Sequence, residues 1–377
     1  MLINLYRDRG FKMRKRIAIM VLIMALAAGL ALLCSCGKSG NDRQGTDTAA
    51  DDKIRVVATI FPEYDWAREI VGDGNDNVDV ELLVKNGADL HSYQPTVDDI
   101  MKISSCDVFI YVGGESDAWV EDVIERAEND KMEVICLMDV LGEQAKTEET
   151  VEGMEHEGHD HDHEDHDHDR EDEDHDHEED EDEEGHDHDH DDHHEEEYDE
   201  HVWLSLRNAA MFCEAVKDTL CGLDPDNSNT YEKNAEDYIG SLLELDLEYD
   251  RTVAEAPKNV LVFGDRFPFR YLTDDHGIRY YAAFAGCSAE TEASFETVRF
   301  LAGKVDEYGL DCIMTIDGSD GKIARTVSEN TKRSGQKILT LDSMQSVTQE
   351  EIDDGATYLG IMEKDLEVLE EALGADK

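Results

Sequence analysis

The sequence predicts an α/β fold: two lobes, each built on a parallel sheet of four strands, joined by one long backbone helix. Three observations carry that prediction. Short runs rich in β-branched and aromatic residues alternate with helical stretches between residues 54 and 138, and the same rhythm returns between residues 259 and 341. The strongest helical periodicity in the chain falls between the two halves. Residues 151–201, by contrast, hold almost nothing a core could bury, so they interrupt the first half rather than belong to it.

In chain order, Arg7, Arg9, Lys12, Arg14, Lys15 and Arg16 precede an unbroken apolar run over residues 17–33. Basic residues followed by such a run form an export signal rather than a domain, with Met1 or Met13 as its start. The run ends Leu33-Cys34-Ser35-Cys36-Gly37, which looks like a lipobox. Residues 1–36 then read as a lipoprotein signal peptide, with Cys36 as the residue to be acylated. An uncleaved membrane anchor is the alternative, although the run sits at the short limit for spanning a bilayer. Residues 37–53, rich in Gly, Ser, Thr, Asn and Asp, read as a flexible tether that lifts the rest off a membrane surface.

The first lobe is expected over residues 54–150. Its strands fall at 54–61, 78–84, 107–112 and 133–138, and its helices at 63–71, 96–104 and 117–129. The polar tract takes residues 151–198, after which residues 199–256 complete this lobe and form the linking helix. Tyr231, Ala235, Tyr238, Leu242, Leu245 and Tyr249 step by four and three from Ser228-Asn229 to a stop before Pro257. Such a helix is a rod of about 40 Å, long enough to pack along both lobes and limit hinge opening. The second lobe, residues 257–377, is expected to carry strands at 259–263, 279–284, 311–316 and 337–341, with helices at 268–276, 294–308 and 322–334.

The formal net charge is -59, and residues 151–201 account for about half of it, with thirty acidic residues and a single arginine. So acidic a surface excludes nucleic acid as a partner. The tract cannot offset the entropy of ordering itself and should remain a solvated loop. It carries His156, His159, His161, His163, His166, His168, His175, His177, His186, His188, His190, His193 and His194. Imidazole nitrogen alternating with carboxylate oxygen is a ligand set for zinc and its first-row neighbours, so the tract reads as an auxiliary metal loop of weak, pH-dependent sites. A merely solubilising acidic run is the bland alternative, against which histidine at every second position argues.

Six cysteines follow the tether, Cys106, Cys136, Cys213, Cys221, Cys287 and Cys312, with no CxxC pair among them. Most lie in apolar runs, where cysteine behaves as a small core residue. Cys213 and Cys221 fall on one expected helix about 12 Å apart, too far to bridge. Cys287 with Cys312 is the pair to test as a disulfide.

Ligands of open α/β sheets bind beyond the carboxyl ends of the strands, so metal-binding side chains that follow strands mark the candidate site. His91 lies in Asn86-Gly87-Ala88-Asp89-Leu90-His91-Ser92, after the second strand. His201 lies in Asp199-Glu200-His201-Val202-Trp203-Leu204, where the tract returns to foldable sequence. Other features join them: Phe61-Pro62 and Tyr64, Gly113-Gly114-Glu115 with Trp119, the long helix, and a His/acid-rich loop just before the second histidine. Together these segments resemble the metal-binding family of ABC-importer solute-binding lipoproteins, the zinc and manganese receptors. The resemblance runs from about Arg55 to the end.

It implies two (β/α)4 lobes, a backbone helix and a metal cleft between the lobes that draws one ligand from each of four segments. His91 matches the first and His201 the second. The third position falls at Gly264, in Val262-Phe263-Gly264-Asp265-Arg266-Phe267, and has no side chain. A water, Asp265, His276 or a tract histidine would complete the sphere. Asp320, in Ile316-Asp317-Gly318-Ser319-Asp320, matches the family's aspartate.

The implied function is an extracytoplasmic receptor that captures Zn2+ and delivers it to an ABC importer permease. It would act as a monomer, held to the cell membrane by lipid on Cys36. Mn2+ is the alternative cargo, and a lipid-anchored zinc buffer without a transport role is the alternative function. Manganese prefers more oxygen donors than two histidines and a carboxylate supply, so zinc is favoured. Two imidazoles and a carboxylate with an open position also describe a catalytic zinc site. No HExxH helix, nucleophile elbow or evident general base accompanies them, so no enzyme is expected.

Overall fold

Two four-stranded parallel sheets form the frame of the computed structural model, which describes residues 53–85, 87–155, 197–288 and 292–375. These residues belong to one unit, Asp52–Lys377. The signal segment, Cys36, nearly all of the tether, and the histidines from His156 to His194 lie outside the described residues. β1 (Ile54–Ala58), β2 (Val78–Leu82), β3 (Val108–Tyr111) and β4 (Glu133–Cys136) assemble in the order β2-β1-β3-β4. β5 (Val260–Phe267), β6 (Arg279–Ala285), β7 (Cys312–Ile316) and β8 (Lys337–Leu341) repeat it as β6-β5-β7-β8.

Every ladder is parallel, with Val56 opposite Val80 on one side and Val108 on the other, and Phe263 opposite Ala282 and Met314. In each sheet the chain leaves the first strand in one direction and returns on its other side for the third. That reversal opens a crevice at the carboxyl edge. β7 is buried at every residue, as expected of a parallel strand with helices on both faces.

The linking helix runs over Ser228–Glu255 and buries Tyr231, Ala235, Tyr238, Leu242, Leu245 and Tyr249, the stripe read from the sequence. It packs on the helices Phe61–Val71 and Leu206–Leu223 of the first lobe and on the last helix, Tyr358–Leu373. Tyr249 donates its hydroxyl to Met362 O at 2.6 Å, and Asn234 Nδ2 donates to Ile70 O at 3.1 Å. The last helix is fixed to the first lobe at its own start: Tyr358 N donates to Asp65 Oδ2 (2.8 Å), its hydroxyl to Trp203 O (2.6 Å), and its ring meets Trp66 edge-on. One continuous apolar cluster therefore reaches through both lobes.

The helix expected over 117–129 contracts to Val120–Ile124. The Asp117 carboxylate turns back to accept from Gly113 N at 3.0 Å, and Asn129 Nδ2 pins the chain to Cys106 O at 2.7 Å. Ordered backbone reaches further into the tract than its composition suggests. Glu148 N donates to Glu197 O at 2.7 Å and Asp199 N to Lys146 O at 2.9 Å, so the two ends of the tract leave and return side by side. Residues 146–155 cross onto the second lobe, where Lys146 N donates to Tyr271 Oη at 2.9 Å and Glu155 N to Ala283 O at 2.9 Å.

Cys287 and Cys312, the pair to test as a disulfide, are not bridged: all the described cysteines are free. Cys312 is buried on β7 with its thiol turned to Ala372 O, and Cys287 lies beyond β6.

Candidate metal centre

Two segments of the first lobe and two of the second converge where the carboxyl edges of the sheets face each other. His91 is carried on a single 3-10 turn, Leu90–Ser92, after β2. Asp89 caps that turn by accepting from His91 N at 3.0 Å, while its other oxygen receives Arg266 Nη2 from the opposite lobe at 2.8 Å. Burial would raise the Asp89 carboxyl, but the bond and charge of Arg266 outweigh it and hold the group below its usual range. His201 is fully buried at the entry to the 3-10 turn Val202–Leu204, its ring beside Trp203.

Each imidazole is fixed through Nδ1. The Asp199 carboxylate lies 3.0 Å from His201 Nδ1 and also accepts from His201 N at 2.9 Å. His91 Nδ1 lies 2.8 Å from Ser116 Oγ and 3.5 Å from Glu200 Oε2, and Glu200 Oε1 accepts from Ser116 N at 2.9 Å. Burial opposes ionisation of Glu200, yet the hydrogen bonds from His91 and Ser116 win and lower its pKa. A carboxylate at Nδ1 keeps the proton there and leaves the lone pair on Nε2. The two Nε2 atoms then face each other 3.1 Å apart. Gln345, from the loop after β8, brings its amide Nε2 to 2.9 Å from His91 and 2.7 Å from His201, and its two N–H groups satisfy both lone pairs.

Two glycines make this approach possible. At Gly114 (φ +88°) a Cβ would collide with the Glu200 carboxylate. At Gly286 one would sit 2.8 Å from His201 Cε1 and 2.9 Å from Phe267 O. Gly286 thus lets β6 deliver the next residue, Cys287, to the histidines. Among the described residues, His91, His201 and Cys287 form the group able to hold a metal ion, with ligand atoms all within 4.8 Å of one another. A tetrahedral zinc needs its nitrogen and sulfur ligands about 3.3–3.6 Å apart, so small side-chain adjustments suffice. Burial, and then the charges of Glu148, Asp199 and Glu200, push the Cys287 thiol well above its ordinary range. A cavity of about 270 Å3 is lined by His91, Glu200 and Cys287 together with Glu148, Glu197 and Tyr198, the residues that flank the tract.

Of the expected site residues that the structure describes, His91 and His201 are brought together, whereas Asp320, Asp265 and His276 lie apart from them. Asp320 is exposed, and its Oδ1 accepts from Lys322 N, the first residue of the following helix, at 2.7 Å. Asp265 accepts from Thr315 Oγ1 at 2.6 Å and from Arg266 N at 3.0 Å. Both line a neighbouring cavity of about 610 Å3. His276 is bound to the linking helix instead, 2.8 Å from Asp250 Oδ1 and stacked on Tyr249. Gly264 is a packing position: a Cβ there would overlap the backbone of Ala324, so β5 and the helix Lys322–Glu329 touch only because it has none.

Sequence reasoning missed Cys287 and Gln345. The rule that ligands follow strands covers Cys287 after β6, but a cysteine beside an apolar strand reads equally as core. Gln345 carries no metal-ligand signal at all.

A model of the family described as ZnuA, zinc-uptake complex component A, periplasmic, matches residues 56–372. The chain is 29% identical over 332 residues to zinc-binding protein AdcA of Streptococcus pyogenes, a match that covers 86% of this chain and 57% of that protein. It is 29% identical over 351 residues to the high-affinity zinc uptake system protein ZnuA of Bacillus subtilis, covering 93% and 97%. The chain thus spans little more than half the length of the streptococcal relatives. Among solved structures, the Zn(II)-bound ZnuA-like domain of Streptococcus pneumoniae AdcA superposes with a TM-score of 0.61 at 25% identity, covering 85% of this chain and 99% of that one. The metal-dependent lipoprotein YcdH from Bacillus subtilis gives the same TM-score, identity and coverage.

Proposed function

Because this chain belongs to the ZnuA family of zinc-uptake components, we propose that it is an extracytoplasmic receptor that captures Zn2+ between its lobes and passes it to the permease of an ABC importer. The family is a binding component of metal uptake, not an enzyme family. Lipid on Cys36 would hold the monomeric receptor at the cell membrane, and the acidic, histidine-rich tract would concentrate metal beside the cleft.

One observation carries the reading: two imidazoles from segments 110 positions apart present Nε2 atoms 3.1 Å from each other, each ring held from behind by a carboxylate or hydroxyl. Two lone pairs converging at that distance gain most from a shared cation. The acid groups Asp199, Glu200 and Glu148 around them favour positive charge. Zinc is preferred to manganese because nitrogen donors dominate.

The test is a zinc titration of the purified chain against a competing chelator, with His91→Ala and His201→Ala in parallel. The parent should bind one tight equivalent, and each variant should lose at least about 100-fold in affinity while staying folded. Parental affinity in either variant would overturn the assignment.

A further inference from the structure

We propose that Cys287 is the third protein ligand, its thiolate completing a His2Cys centre with His91 and His201 that discriminates strongly against manganese. This rests on the zinc-receptor reading and adds to it a donor from the second lobe.

The placement is specific. Cys287 follows β6 at the carboxyl edge of the second sheet, on the opposite side of the interlobe cleft from both histidines. The preceding residue can only be glycine, because a Cβ at Gly286 would press on His201 Cε1 and Phe267 O. Cys287 N donates to Glu148 Oε1 at 3.1 Å, which sets the orientation of the residue from behind. It forms no disulfide, and its sulfur lies within 4.8 Å of the imidazole nitrogens. At the position where the family resemblance placed a side-chain donor, Gly264 is closed off by Ala324. Donation from Cys287 fills the resulting gap in the coordination sphere.

The chemistry follows. On binding, the S–H bond breaks, an S–Zn bond forms, and the proton leaves to solvent. The two neutral imidazoles each give a lone pair. A thiolate with two imidazoles is a soft donor set suited to zinc, whereas manganese takes oxygen ligands and gains little from sulfur. Since the histidines lie on the first lobe and the thiolate on the second, the ion itself ties the lobes together.

The experiment loads the full chain with one equivalent of Co2+ as a spectroscopic probe and compares it with Cys287→Ser, with zinc and manganese affinities measured by chelator competition. The parent should show a near-ultraviolet sulfur-to-cobalt charge-transfer band that Cys287→Ser lacks. The variant should lose about 100-fold or more in zinc affinity and keep its manganese affinity, so that the discrimination narrows. A second measurement needs no variant: zinc should protect Cys287 of the parent from alkylation, read by peptide mass spectrometry. Absence of the band, or alkylation of Cys287 unaffected by zinc, would overturn the proposal. If His91→Ala abolishes tight zinc binding while Cys287→Ser does not, the thiolate ligand falls and the receptor stands. Tight zinc binding that survives His91→Ala removes both.

Discussion

Replacing Asp199 by alanine should weaken zinc binding without touching any ligand. The carboxylate is buried, and one oxygen serves both His201 N (2.9 Å) and His201 Nδ1 (3.0 Å). Its removal has two separable effects. The buried His201 N–H loses its acceptor, which costs about 1–3 kcal/mol of folding stability. The ring also loses the partner that keeps its proton on Nδ1, so part of the population carries the proton on Nε2 and presents no lone pair to the ion. Partners of this kind are worth about 10–100-fold in metal affinity, or about 1.4–2.7 kcal/mol.

Asp199→Asn separates the two effects. An amide oxygen still accepts from both groups, so stability should return nearly to the parent level. The lost charge leaves the imidazole less basic, so affinity should recover only in part. The assays are chelator competition for zinc and thermal unfolding in excess chelator. A zinc affinity in Asp199→Ala within about threefold of the parent would refute the reasoning that this carboxylate sets the ring.

Three further outcomes can be checked. Gln345→Glu replaces a donor between two lone pairs by an anionic acceptor, so zinc should bind at least about tenfold more tightly; unchanged or weaker binding by chelator competition would exclude the amide from the site. Burial, with the charge of Asp117 adding to it, raises the Glu63 carboxyl to about 8. A raised carboxyl favours the folded state while protonated, so this contribution is complete below about 4.5 and is lost as the pH rises through about 8. Glu63→Gln mimics the protonated form, and the metal-free variant should therefore lose less stability than the parent between pH 5 and pH 8, by a few kcal/mol; identical pH profiles by denaturant unfolding would contradict this. Deleting residues 157–195 keeps the backbone bonds between Glu148 and Glu197 and between Lys146 and Asp199. One tight zinc site should survive with only the weak sites lost, and loss of the tight site would make the tract a ligand donor.

Local pattern determined the frame. The step of Tyr231, Ala235, Tyr238, Leu242, Leu245 and Tyr249 marks a helix face at any position in any fold, and the β-branched runs mark buried strands in the same way. The carboxyl-end rule then made His91 and His201 legible, because it ties chemistry to chain order alone. Asp320 and His276 went elsewhere for reasons that no spacing reveals. The first N–H of the following helix took the carboxylate of the first, and a carboxylate on the linking helix took the second.

The packing of one lobe on the other decided the rest. Whether Gly264 is an open ligand position or a contact with Ala324 depends on how closely a helix approaches β5. That Gly286 carries Cys287 to His201, and that Gln345 reaches both imidazoles, depends on two surfaces whose residues lie more than eighty positions apart in the chain. Secondary structure follows from periodicity within a few residues. A binding centre assembled from four distant loops follows only from the three-dimensional fit of the elements that carry them.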